Sequence, residues 1–150
     1  METPQLNSLY QQLILEHYRN PRNKAEMAEK SVEIHMANPV CGDEIRLQLR
    51  IEDDHIVEAK FVGQGCSISQ AAISMMTQKL QGASLSDADA LAEQFTALMH
   101  GDEEAAKDKA LGDLRALQGV SKFPVRIKCA LIGFDALQEA LKKHSSEGPH

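Results

Sequence analysis

The sequence contains no tryptophan, and phenylalanine and tyrosine together account for only 4% of it. Its core must therefore be built mainly from aliphatic side chains, methionine and alanine. Basic residues are also few, with 16 Lys and Arg against 22 Asp and Glu, a formal charge of -6. Such a chain repels a phosphate backbone unless it concentrates a basic patch, which argues against nucleic acid as a partner. No run of about eighteen consecutive apolar residues is present to cross a bilayer. The opening METPQLNSLY lacks the basic end and apolar segment of a secretory leader. These absences predict a cytoplasmic protein without a membrane partner. Cysteine is scarce too: three residues, an odd number, lie far apart. In a compartment that keeps thiols reduced, this disfavours a disulfide framework and points to metal binding or thiol chemistry.

What is present is enough apolar mass for one core, at 43% hydrophobic residues in a chain of 150. Residues 1–143 are read as a single domain and 144–150 as a disordered tail. Thr3 and Pro4 suit the start of a helix whose apolar face carries Leu6, Leu9, Tyr10, Leu13, Ile14 and His17, and Asn20-Pro21-Arg22-Asn23 stops it. The period then changes to two. Val32, Ile34 and Met36 mark one strand, Ile45, Leu47, Leu49 and Ile51 a second, and the run from Ile56 to Val62 a third. Asp53-Asp54-His55 supplies turn chemistry for an antiparallel hairpin. Helical spacing returns after Cys66 with Ile68, Ala71, Ala72, Met75 and Met76, and Gly82 suits the end of that helix. Ser86 opens another helix toward Met99, and an acidic, Ala-rich stretch over 102–117 reads as helical and partly exposed. A last helix runs from Phe123-Pro124 to about Leu141. The predicted fold class is α+β: a small antiparallel sheet with helices packed on one face.

The chemistry-bearing residues fall at element ends. Asn38-Pro39-Val40-Cys41-Gly42-Asp43 occupies the loop between the first two strands, and Gly63-Gln64-Gly65-Cys66 joins the third strand to its helix. If the first and third strands flank the second, both loops lie at one end of the sheet, and Cys129 must approach from the last helix. Three thiolates and one carboxylate complete a tetrahedral shell, and glycines at 42, 63 and 65 permit positive φ and close backbone approach. The spacing itself decides little. With 24 residues between Cys41 and Cys66 and 62 between Cys66 and Cys129, spacing alone favours buried small hydrophobes over ligands.

Four stretches in order resemble the U-type iron–sulfur cluster assembly family, the NifU N-terminal and IscU-like proteins. They are Leu9-Tyr10 through Asn23, the Cys41 loop, Gly63 through Ala71, and Val125-Arg126-Ile127-Lys128-Cys129-Ala130. The resemblance implies a SufE/NifU-like fold with one metal site at the loop tip, held by Cys41, Asp43, Cys66 and Cys129. Lys128 stands where the scaffold branch usually has histidine, and the segment 82–120 is largely missing from that branch. Both features resemble the SufU-like zinc-dependent sulfurtransferase branch. That branch implies a Zn2+ ion that protects Cys41 until a pyridoxal-phosphate cysteine desulfurase (SufS-like) docks and one of its histidines replaces Cys41 on the metal. Cys41 then accepts the persulfide sulfur and passes it to downstream cluster-assembly proteins. The alternative is a scaffold that assembles a [2Fe-2S] cluster, or holds iron, on the same ligands. Arg126 and Lys128 are candidate contacts for the persulfide or the partner, although cations at the start of a helix commonly face solvent. His17 and Tyr18 are expected to pack or cap, His35 to face solvent, and His100 to sit at a helix C-terminus.

Overall fold

The structure is a computed structural model and is described over residues 4–40 and 42–146. Helix α1, Pro4–Arg19, ends where Asn20 and Pro21 interrupt its pattern. The chain then turns through Asn23, whose φ of 63° lies in the left-handed region that asparagine tolerates. Strands β1 (Val32–Asn38), β2 (Asp43–Glu52) and β3 (His55–Gln64) form an antiparallel sheet in the order β1-β2-β3. The turn between β2 and β3 is Asp53-Asp54, with φ of 53° and 61°. Two successive positive φ angles are what a two-residue hairpin needs to match the strand twist.

Alternation along β2 sorts its side chains cleanly. Ile45, Leu47 and Leu49 are fully buried on one face, whereas Arg46 reaches Glu33 and Glu26 on the other. Gln48 is also buried on that polar face, because the segment before β1 folds over it. Its Oε1 accepts the Met27 amide hydrogen at 2.8 Å and its Nε2 donates to Glu26 and Glu33.

The apolar face is covered by α5 (Pro124–Ser146), which lies against β1 and β2, and by α2 (Ser67–Leu80), which lies against β3 and α5. Helix α1 packs on α2, and α3 (Leu85–Met99) packs on α5. Phe95 and Phe134 stack across the α3–α5 contact with ring centroids 4.3 Å apart. The expected α+β architecture with helices on one face of a small sheet is therefore the fold observed.

Three details differ from the pattern-based expectations. Ser84, not Ser86, caps α3, accepting the Asp87 amide hydrogen at 3.0 Å. Helix α5 continues to Ser146, past both the Leu141 end and the expected start of the tail. The stretch after α3 is not one exposed helix. It is a short α4 (Glu103–Ala106) followed by 3₁₀ turns over Lys109–Lys122, broken at Gly112. In those turns Leu111, Leu114, Leu117 and Val120 are buried. Their spacing of three matches a helix of about three residues per turn, which puts all four on one face against the domain.

Candidate metal centre

Strand order places the critical residues together. Asn38 pairs with Asp43 and Glu44 with Gln64, so the β1–β2 connection and the end of β3 lie at one end of the sheet, as the loop argument required. Asp43 opens β2 and is only 1% exposed. Cys66 is the N-cap of α2, its Sγ accepting the Ser69 amide hydrogen at 3.5 Å. Cys129 lies on α5, fully buried, with Sγ 3.8 Å from the Val125 carbonyl oxygen. One ligand atom from each of Asp43, Cys66 and Cys129 lies within 4.8 Å of the other two. Donors around one tetrahedral ion at bonds of about 2.0 to 2.3 Å sit roughly 3.5 Å apart, so side-chain adjustments of about an ångström would close the group on a single ion. Cys41, the fourth predicted ligand, lies outside the described residues.

The carboxylate of Asp43 is asymmetric. Oδ1 accepts the Cys66 amide hydrogen at 3.0 Å and lies 3.1 Å from the Ser69 hydroxyl. Oδ2 is buried and has no hydrogen-bond partner. Leaving a buried carboxylate oxygen bare is unfavourable, and a cation beside two sulfur donors would relieve it. Cys129 is disulfide-bonded in the structure and offers a thiolate only once reduced; with that bond reduced, Asp43, Cys66 and Cys129 fit a thiophilic divalent ion.

Two glycines shape this corner in different ways. Gly63 has φ of 136°, and a Cβ there would strike the backbone of Glu44, across the β2–β3 ladder from Gln64. Gly65 has no positive φ, so of the two reasons expected for it only close approach applies. A Cβ on Gly65 would run into Asp43 Oδ1 and Ser69 Oγ.

Arg126 and Lys128 are exposed near the start of α5. Arg126 borders a groove of about 370 Å³ between α1, the start of α2 and the 3₁₀ segment, beside Ser67 and Phe123. Ser69 was not singled out as a site residue from the sequence. Its one available signal was its place three residues after Cys66, where a helix returns a side chain to the same side.

A profile described as the NifU-like N terminal domain matches residues 9–130. The chain belongs to the NifU-like N-terminal domain family. Within it, the chain is 46% identical over 138 residues to a protein of Bacillus subtilis (strain 168) named zinc-dependent sulfurtransferase SufU, covering 92% of each sequence. It is 39% identical over 146 residues to a protein of Streptococcus pyogenes serotype M1 named iron-sulfur cluster assembly scaffold protein IscU, covering 97% of this chain and 91% of the relative. A solved structure from Fervidobacterium islandicum AW-1, titled as a putative SUF-system scaffold protein, superposes with a TM-score of 0.80 at 28% identity, over 86% of this chain and 93% of that one. The NifU-like core thus spans both loops and reaches Cys129, and the polar corner built by Asp43, Cys66 and Ser69 lies inside it.

The other histidines sort as expected. His17 is 2% exposed and its Nδ1 lies 2.8 Å from Ser74 Oγ. His35 is exposed and paired with Glu44, and His100 caps the C-terminus of α3. No helix of the described residues is long and apolar enough to cross a membrane.

Proposed function

We propose that this chain is a zinc-dependent sulfur acceptor of iron–sulfur cluster assembly, working in the cytoplasm between a pyridoxal-phosphate cysteine desulfurase and downstream cluster-assembly proteins. The observation that carries the reading is the Asp43 carboxylate, withdrawn from water beside Cys66 and Cys129 with Oδ2 left bare. The relative named as a zinc-dependent sulfurtransferase, 46% identical, supports the choice of metal and chemistry. Asp43, Cys66 and Cys129, with Cys41 as the fourth ligand, would hold Zn2+, which supplies four-coordinate binding and keeps cysteine ligands deprotonated.

Cys41 is the residue assigned to receive sulfur. Its loop is approachable, since Pro39, Val40 and Gly42 are all exposed and Val40 is 71% so. In the transfer, the Cys41 thiolate attacks the outer sulfur of the donor's cysteine persulfide. A new S–S bond forms on Cys41 as the donor's S–S bond breaks, and the donor cysteine leaves as a thiolate. Sulfur moves without net oxidation or reduction. Arg126 and Lys128, exposed near the start of α5, would offer positive charge to the anionic persulfide or to the docking partner.

The test combines the protein with a cysteine desulfurase and cysteine, traps thiols with an alkylating reagent and locates the added sulfur by mass spectrometry. The sulfur is expected on Cys41, and Cys41→Ser should abolish both the adduct and any stimulation of the desulfurase. Sulfur found on Cys66 or Cys129, or on none of the three while the desulfurase turns over, would overturn the assignment.

The second reading, a scaffold that builds a [2Fe-2S] cluster on the same ligands, is favoured by the relative named as a scaffold at 39% identity. Against it stands Lys128, a cation that is no ordinary metal ligand at neutral pH, preceding Cys129. The visible absorption of a bound cluster, which a zinc protein lacks, separates the two.

A further inference from the structure

Ser69 touches two of the ligands in different ways. Its amide hydrogen is donated to Cys66 Sγ at 3.5 Å, and its hydroxyl lies 3.1 Å from Asp43 Oδ1 and 3.1 Å from the Cys66 carbonyl oxygen. The residue is fully buried, so water does not compete for that hydroxyl. Its single hydrogen has two acceptors within reach, Asp43 Oδ1 and the Cys66 carbonyl oxygen, and a carboxylate is the stronger acceptor of the two. With the Cys66 amide also donating to Oδ1 at 3.0 Å, one oxygen of Asp43 is engaged twice and the other not at all. The absent side chain of Gly65 is what lets Asp43 Oδ1 and Ser69 Oγ meet, since a Cβ would collide with both.

We propose that Ser69 is a positioning residue that makes Asp43 a one-oxygen ligand and thereby sets the coordination number of the site at four. The inference rests on the reading of Asp43 as a ligand. A carboxylate free at both oxygens can grip one ion through both. Oδ1 already accepts from two donors, which occupies its two lone pairs, and Oδ2 alone is left with the capacity to bind an ion. Four positions suit zinc, whereas a fifth, oxygen position would favour harder ions that accept higher coordination numbers. Ser69 is thus a specificity-determining contact that never touches the metal.

The experiment uses the full chain and Ser69→Ala, Ser69→Thr and Asp43→Ala variants. Zinc affinity is measured by competition with a chromophoric chelator, and cobalt(II) is substituted to read coordination number from the intensity of its visible bands. Ser69→Ala removes only the hydroxyl, keeps the amide contact to Cys66 and places a better helix former in α2, so the domain should fold. It is expected to bind zinc about tenfold more weakly and to show cobalt bands weakened toward a five-coordinate intensity, with Ser69→Thr closer to wild type in both. Wild-type zinc affinity and a wild-type cobalt spectrum in Ser69→Ala, while Asp43→Ala loses zinc, would overturn the inference and leave Asp43 a ligand. Weaker binding with an unchanged four-coordinate spectrum would equally overturn it, as the hydroxyl would then be mere structural support. Zinc bound normally by Asp43→Ala would remove the ligand reading, and the inference with it.

Discussion

His17 sits in a closed set of contacts. Ser74 Oγ accepts the Arg22 amide hydrogen at 2.8 Å, which leaves the hydroxyl hydrogen free for His17 Nδ1 at 2.8 Å and favours an unprotonated nitrogen there. Burial first, and the Arg22 cation second, push the His17 pKa below its ordinary 6.5, with Asp113 and Glu16 opposing. The unfolded chain therefore binds a proton at His17 before the folded one does. Its contribution to stability is complete above pH 6.5 and is lost as pH falls from there toward the folded-state pKa. Urea unfolding of the metal-free protein between neutral pH and about pH 5.5 should show falling stability, and His17→Gln should flatten that slope. An identical slope in the variant would show that other groups carry the dependence. At this same scale the sequence was a good guide to His17, His35 and His100 but not to Ser69. Serine is common on helices, and only the bare Oδ2 and doubly engaged Oδ1 of Asp43 mark this one as part of the site.

Among the elements, the strands were legible because alternation has one meaning on a half-buried sheet. A one-residue slip would turn Ile45, Leu47 and Leu49 to the opposite, polar face. The 3₁₀ segment was not legible. Its acidic, Ala-rich beginning has the composition of an exposed helix, and a spacing of three overlaps the i, i+3 part of the α-helical pattern. What decided its state is packing of Leu111, Leu114, Leu117 and Val120 against the domain, overriding local preference. Leu117→Ala should consequently destabilise the protein by about 2 to 5 kcal/mol, as truncation of a core leucine does, whereas Lys109→Ala on the same segment, exposed in the structure, should stay within about 0.5 kcal/mol. Denaturant midpoints measure both. A loss under about 1 kcal/mol for Leu117→Ala would mean that this stretch is not part of the core.

Across the molecule, the candidate centre ties the start of β2, the cap of α2 and the body of α5, which are remote in sequence. An ion that bridges them binds the folded chain and not the unfolded one, so its binding free energy adds to stability, by about 2.7 kcal/mol when free metal is a hundredfold above Kd. Protein purified without added metal is expected to be colourless with about one zinc per chain, and a chelator should lower its Tm. Cys66→Ser and Cys129→Ser should hold little zinc and lose the chelator response. Calorimetry with elemental analysis reads both, and normal zinc content in both variants would sink the ligand assignment.

By itself the sequence determined the periodicities, the turn at Asp53-Asp54, the placement of Asp43 and Cys66 at element ends, and a family resemblance specific enough to name candidate ligands. Those features are local, set by side-chain alternation, backbone preference and short motifs. Tertiary structure decided the rest. It brought Cys129 from α5 to within 4.8 Å of the ligand atoms of Asp43 and Cys66, buried the 3₁₀ leucines, and turned one oxygen of Asp43 toward Ser69 while leaving the other bare. Each of these depends on which surfaces meet when helices close over the sheet, and that is settled by packing between residues far apart in the chain.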